Sequence, residues 1–185
     1  FEYDAKKSFG VTKSHLRFSD YPIRSTHFVK MADFVACHNP TYIYHYDMLS
    51  ELKDGGTFLL NCAWTPAEAE QKLPARMRRQ LAEKKAKLYI IDAGAIAREC
   101  GLGGHINMVL QSAFFHLTGV LPVEEAVGYM KAGIKKMYGA KGDDVVQHNM
   151  DAVDAGGKHI VEIPVPADWA NATDDVAADK SHLPP

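Results

Sequence analysis

Three short apolar runs, each followed by a helical stretch, constrain this chain more than any other feature. They are DFVACH (33–38), TFLLNC (57–62) and KLYIID (87–92). Each is too short for a helix of ordinary length and is bounded by polar or turn-forming residues, so each reads as a buried strand. Asn39 and Pro40 open a helical segment predicted to run through Leu52, and Gly55–Gly56 is predicted to turn the chain into the second strand. Thr65 and Pro66 supply an N-cap and first helical residue for an amphipathic segment ending near Lys85 and interrupted at Pro74. Beyond the third strand, helical patterns cover 92–99, 106–118, a stretch opened by Pro122, and 143–155. A last strand is predicted in HIVEIPV (159–165). Strands alternating with helices predict an α/β fold, a three-layer α/β/α arrangement around a mostly parallel sheet.

In such sheets ligands meet the carboxyl ends of the strands. The turns after Cys37, Cys62 and Ile91 are therefore the expected working edge. A fold of this kind usually begins with a strand and a helix, whereas residues 1–28 are loop-like and charged. Its first strand–helix unit is expected to be missing. The domain is expected to span 1–169, with the small, polar, proline-ended residues 170–185 as a linker or tail.

A chain of 185 residues suffices for one domain with a sizeable core. Its 46% hydrophobic and 24% charged residues are ordinary for a soluble globular protein. A formal charge of -2 and the lack of a polybasic run argue against a nucleic-acid partner. No apolar stretch reaches the roughly 18 residues of a membrane span, and FEYDAKKS holds no signal-peptide core. Cys37, Cys62 and Cys100 are far apart and form no CxxC, which excludes an iron–sulfur cluster or four-cysteine zinc site held by this chain alone. They read as reduced, buried hydrophobes in a cytoplasmic protein.

Candidate chemistry lies in two segments. In DAKKSFG, Lys6 and Lys7 precede Ser8 and a flexible Gly10, and such a pair can hold phosphate as point charges or be simply solvated. In HLRFS, Arg17 alternates with Leu16 and Phe18 and is predicted to project from a strand. There it suits a carboxylate, a phosphate, a neighbouring domain or a structural ion pair. The segment GLGGHINMVLQSAFFHLTG (101–119) is neither a dinucleotide fingerprint nor a P-loop, having no GxGxxG and no GK[ST]. Gly103–Gly104 permits a tight path, His105, Asn107 and Gln111 recur at the start of a helix, and free N–H groups there suit an anion. Nine histidines give no recognised metal spacing, and no nucleophile elbow is present.

The stretches DAKKSFGVTKSHLRFSDYPIRS, CHNPTYIYHYDMLSELKDGGTFLLN and GLGGHINMVLQSAFFHL resemble the gamma-type domain of single-chain pyruvate:ferredoxin (flavodoxin) oxidoreductases, over residues 1–169. The resemblance implies part of an enzyme that oxidatively decarboxylates pyruvate with coenzyme A, giving acetyl-CoA and carbon dioxide. Electrons would leave through [4Fe-4S] clusters to ferredoxin or flavodoxin. Thiamine diphosphate, Mg2+ and the clusters would sit in other domains, so the isolated fragment is expected to be inactive. The resemblance also implies a homodimer when complete and packing against other domains of the same chain. It places Lys7, with Lys6, on a coenzyme A phosphate, Asn107 on the nucleotide part, and Arg17 on coenzyme A or the domain interface. Phe9 stands where the family has a small residue, and His105 where it has arginine; histidine carries a full charge only when protonated. The same domain in a pyruvate:NADP oxidoreductase, and an interdomain scaffold without ligand contact, are the alternatives.

Overall fold

The computed structural model describes residues 2–3, 12–24 and 27–173. Strands β1 (Glu2–Tyr3) and β2 (Thr12–Lys13) pair antiparallel, apart from the main sheet. That sheet orders β3 (Ala32–Cys37), β4 (Leu52–Asn61), β5 (Lys87–Ile91) and β6 (Val161–Ile163) side by side. The first three run parallel, and β6 is antiparallel to β5.

Side chains alternate across a strand, so each strand feeds two cores. Phe58, Leu60, Leu88 and Ile90 point to one face, where they pack with Leu73, Met77 and Leu81. The last three belong to the layer formed by α1 (Tyr42–His45), α2 (Pro66–Lys72) and α3 (Ala75–Glu83), Leu73 closing α2. Leu59 and Ile91 point the other way, against Ile96, Val109, Ala113, Ile134 and Val153. These come from α4 (Ala93–Glu99), α5 (Asn107–Thr118), α6 (Val123–Tyr138) and α7 (Asp143–Lys158). The result is the expected three-layer α/β/α arrangement with a largely parallel sheet.

Local chemistry sets the helix starts. Thr65 Oγ1 accepts from the Glu68 N–H at 3.3 Å, while the Glu68 carboxylate accepts from the Thr65 N–H at 2.9 Å, a reciprocal capping box. Asp92 caps α4 through the Ala95 N–H at 2.8 Å. At the far end of the chain, a short 3-10 turn (Ala167–Asn171) packs on α3 and buries Trp169, and Arg79 of α3 donates to the Ala172 carbonyl.

Three local expectations require correction. The helix opened by Pro40 is only one turn, α1, and does not reach Leu52. Asp47 accepts from the Leu49 N–H at 3.3 Å and its carbonyl from Ser50 Oγ at 3.1 Å, local bonds that compete with a continuing helix. Gly55–Gly56 lies inside β4 and makes no turn between elements. Gly55 adopts φ +72° and donates its N–H to the Lys84 carbonyl at 2.7 Å, where the β3–β4 register shifts. Arg17 lies on irregular backbone beyond β2 and not on a strand. Among the described residues, no helix is long and apolar enough to cross a membrane.

Candidate functional site

Asn107 is the first residue of α5, six residues beyond Gly101. Gly101 ends α4 with φ +76°, and a Cβ there would stand 3.0 Å from the His148 ring. This tight passage lets the 101–106 loop lie against α7. No side chain caps α5, and its first turn carries no acidic residue. Its first N–H groups therefore present partial positive charge.

The loop, the start of α5, and the α6–α7 junction enclose a cleft of about 580 Å3. His105, Asn107, Tyr138, Lys141, His148 and Asn149 supply its polar lining. Lys141 holds its ammonium 5.4 Å from the Tyr138 ring centroid. Lys141 brings a donor-only cation to this lining, while the amides and imidazoles can both donate and accept, a combination that suits an anionic ligand with amide or base edges.

The sequence-derived candidates thus separate. Asn107 and His105 meet in this cleft, whereas Gln111 does not line it. Arg17 borders another hollow, of about 410 Å3, with His27, Phe28 and Lys30. Its guanidinium donates to the His27 carbonyl at 2.5 Å and the Phe28 carbonyl at 2.9 Å. Lys6 and Lys7 lie outside the described residues. Lys141 and His148 carried no signal in the sequence, since one sits between two helices and the other inside α7, and only tertiary packing brings them to Asn107.

The carboxyl edge of the sheet is differently built. Asn61 accepts from the Ala93 N–H at 3.0 Å and donates to the His38 carbonyl at 2.9 Å, tying the turns after β3 and β5 together. Cys37 and Cys62 are buried beside them. Burial pushes the Cys37 thiol up to about 11, against a smaller opposing influence of the Asn39 backbone. Burial likewise raises the Cys62 and Cys100 thiols and lowers the His38 imidazole. Cys37 and Cys62 belong to one core and Cys100 packs against the other, so these three sulfurs do not fit one iron–sulfur cluster. Among the described residues, no three His, Cys, Asp or Glu side chains are grouped to hold a metal.

The family model for pyruvate ferredoxin/flavodoxin oxidoreductase matches residues 1–158. The chain belongs to this family. It is 49% identical over 184 residues to pyruvate:ferredoxin oxidoreductase of Moorella thermoacetica, covering 100% of this chain and 16% of that protein. With the mitochondrial pyruvate dehydrogenase [NADP(+)] of Euglena gracilis it shares 46% identity over 176 residues, 94% of this chain and 10% of the relative. Among solved structures, pyruvate oxidoreductase subunit PORC of Thermotoga maritima superposes with a TM-score of 0.56 at 20% identity, over 72% of this chain and 66% of that one. The pyruvate ferredoxin/flavodoxin oxidoreductase segment described here therefore has the PORC fold, which is the gamma-type domain. It corresponds to a small part of much longer redox enzymes.

Proposed function

We propose that this chain is the gamma-type domain of an enzyme that oxidatively decarboxylates pyruvate with coenzyme A. One pyruvate and one coenzyme A give acetyl-CoA, carbon dioxide, one proton and two electrons, and the electrons pass to ferredoxin or flavodoxin. The observation that carries this reading is 49% identity along the whole chain to a pyruvate:ferredoxin oxidoreductase. Thiamine diphosphate with Mg2+ supplies the electron sink for decarboxylation, and it and the [4Fe-4S] clusters belong to other domains of the full enzyme. The domain's own part is to bind coenzyme A and to pack against those domains. It spans 1–169, with residues 170–185 a linker or tail.

Within that reading, Lys7 with Lys6 holds a coenzyme A phosphate, and Asn107 meets the nucleotide part. The cleft supports the second role, because Asn107 stands there beside cationic Lys141 and ring nitrogens of His105 and His148. Arg17 serves the domain interface, as its guanidinium is already committed to two backbone carbonyls. Titration of coenzyme A against the full-length enzyme tests these assignments. Lys7→Ala and Asn107→Ala should each weaken binding about tenfold, the equivalent of one charge-assisted hydrogen bond, with folding unchanged. Unchanged affinity in both variants would leave the chain as an interdomain scaffold.

The 46% identity to an NADP-linked pyruvate dehydrogenase supports a second reading, in which NADP+ is the final acceptor. Assaying the full-length enzyme with ferredoxin, flavodoxin and NADP+ in turn separates the two. Sedimentation of the same preparation tests the homodimer.

A further inference from the structure

Residues 12–24 and 27–31 form a strap over α5. Phe18 meets the Phe114 ring with centroids 5.7 Å apart, and Phe114 meets Phe34 of β3 at 5.3 Å. Arg17 bonds the two carbonyls of His27 and Phe28, and His15 packs on the Phe28 ring at 5.0 Å, so the strap is folded back on itself. Its inner contacts are therefore defined.

The outer side is not what water-facing backbone usually carries. Every residue from 16 to 24 is exposed. Leu16, Phe18, Tyr21, Ile23, Phe28 and Met31 are half of the 12 large apolar side chains exposed among the described residues. Single exposed apolar residues need no explanation, but a concentrated group marks a contact surface. The strap is also cationic: it holds Lys13, Arg17, Arg24 and Lys30 and one acidic residue, Asp20, within a chain of net charge -2, and of these cations Lys13 is paired with Glu51 at 3.3 Å. Arg17 and Lys30 border the hollow of about 410 Å3 beside Phe28.

We infer that this strap is the surface on which another domain of the same polypeptide docks, through an apolar face rimmed by acidic side chains. The inference rests on the reading above that the chain is one domain of a longer oxidoreductase. Of the Moorella relative, 84% lies outside the matched stretch (100% less 16%), and a tethered face meets the strap at high effective concentration. A second copy of the same strap is the poorer partner. Two-fold symmetry would set Arg24 and Lys30 of one strap against those of the other, while acidic side chains neutralise them.

Hydroxyl-radical footprinting of the wild-type full-length enzyme tests this without any substitution. Two matched pairs serve as internal rulers: Tyr21 (81% exposed) with Tyr129 (63%), and Met31 (53%) with Met137 (59%). A strap buried by another domain makes Tyr21 and Met31 at least about fivefold less reactive than their partners in α6. Equal reactivity within both pairs would overturn the proposal. Protection that disappears on dilution would overturn it too, by identifying a second molecule as the cover. Reversing charge with Arg24→Glu and Lys30→Glu should raise the reactivity of Tyr21 and Met31 toward that of their partners; no rise would refute the acidic rim. Pyruvate turnover, assayed on the same wild-type preparation, keeps the two readings apart. Turnover with an unprotected strap refutes the docking surface alone, and a protected strap without turnover refutes the pyruvate assignment alone.

Discussion

Gly156 of α7 lies against the Val109 carbonyl of α5 so closely that a Cβ on it would stand 2.5 Å from that oxygen. The neighbouring Ser112 donates to the Val153 carbonyl at 2.6 Å, so α5 and α7 touch backbone to backbone. Gly156→Ala should lower stability by about 1–3 kcal/mol, although alanine is the better helix former. Gly157→Ala should cost less. The three atoms nearest its Cβ all belong to the His116 ring, which can turn away by releasing the Ser112 carbonyl 2.9 Å from its Nδ1. Urea unfolding checks both, as a fall in midpoint at unchanged slope. Equal losses would refute the distinction between a fixed backbone and a movable ring.

The Glu68 carboxyl is held down to about 2 from its ordinary 4.5, first by Lys72 at 2.7 Å and then by the Thr65 N–H and hydroxyl. A depressed carboxyl favours the fold only while ionised. Its contribution is complete above pH 4.5 and disappears as pH falls through about 2. Glu68→Gln should therefore unfold earlier than wild type at pH 6, with the gap closing toward pH 2. A gap independent of pH would show that the capping bonds, and not the charge, carry the effect.

Asn61 spans two turns with one amide. Truncation in Asn61→Ala leaves the Ala93 N–H and the His38 carbonyl without that partner, at a cost of about 1–3 kcal/mol. Faster amide exchange at Ala93 should accompany the loss. Wild-type exchange at that amide would refute the assignment.

Cys37 should behave as a buried hydrophobe. With its thiol raised by burial from 9.0 to about 11, the folded chain holds about a hundredfold less thiolate at pH 8 than the unfolded chain. Alkylation should slow by at least that factor on folding. Because the raised value belongs to the folded state, this thiol favours the fold fully below pH 9 and ceases to do so as pH climbs to 11. Labelling at the unfolded rate would show that the site opens.

Much of the fold was legible because its signals are local. Thr65 followed by Pro66 announces a helix start, and the runs at 57–62 and 87–92 are apolar on both sides because helices cover both faces. The glycine pair misled for a physical reason: a positive φ serves a bulge as well as a turn, and the deciding bond goes to the Lys84 carbonyl, 29 residues away. Arg17 misled because alternation over three residues describes an extended strap as well as a strand. Asn107 was readable as the polar start of a helix beyond a glycine-rich loop. Lys141 and His148 were not, since the α5–α7 contact that delivers them depends on Gly156 and Gly157, whose role as close-packing positions has no local mark.

Trp169 and Arg79 act on the outgoing polypeptide as a strain relief acts on a cable. β6 is only three residues long and has β5 as its one partner among the described residues, which is a weak place to hang a load. The 3-10 turn carries the chain on past β6 and fastens it to α3, with the Trp169 side chain sunk in the first core. Tension on the chain beyond residue 173 is thus delivered to a helix in the middle of the sequence before it can peel the sheet edge. A domain tethered there would pull on the body of this one and leave its edge strand in place.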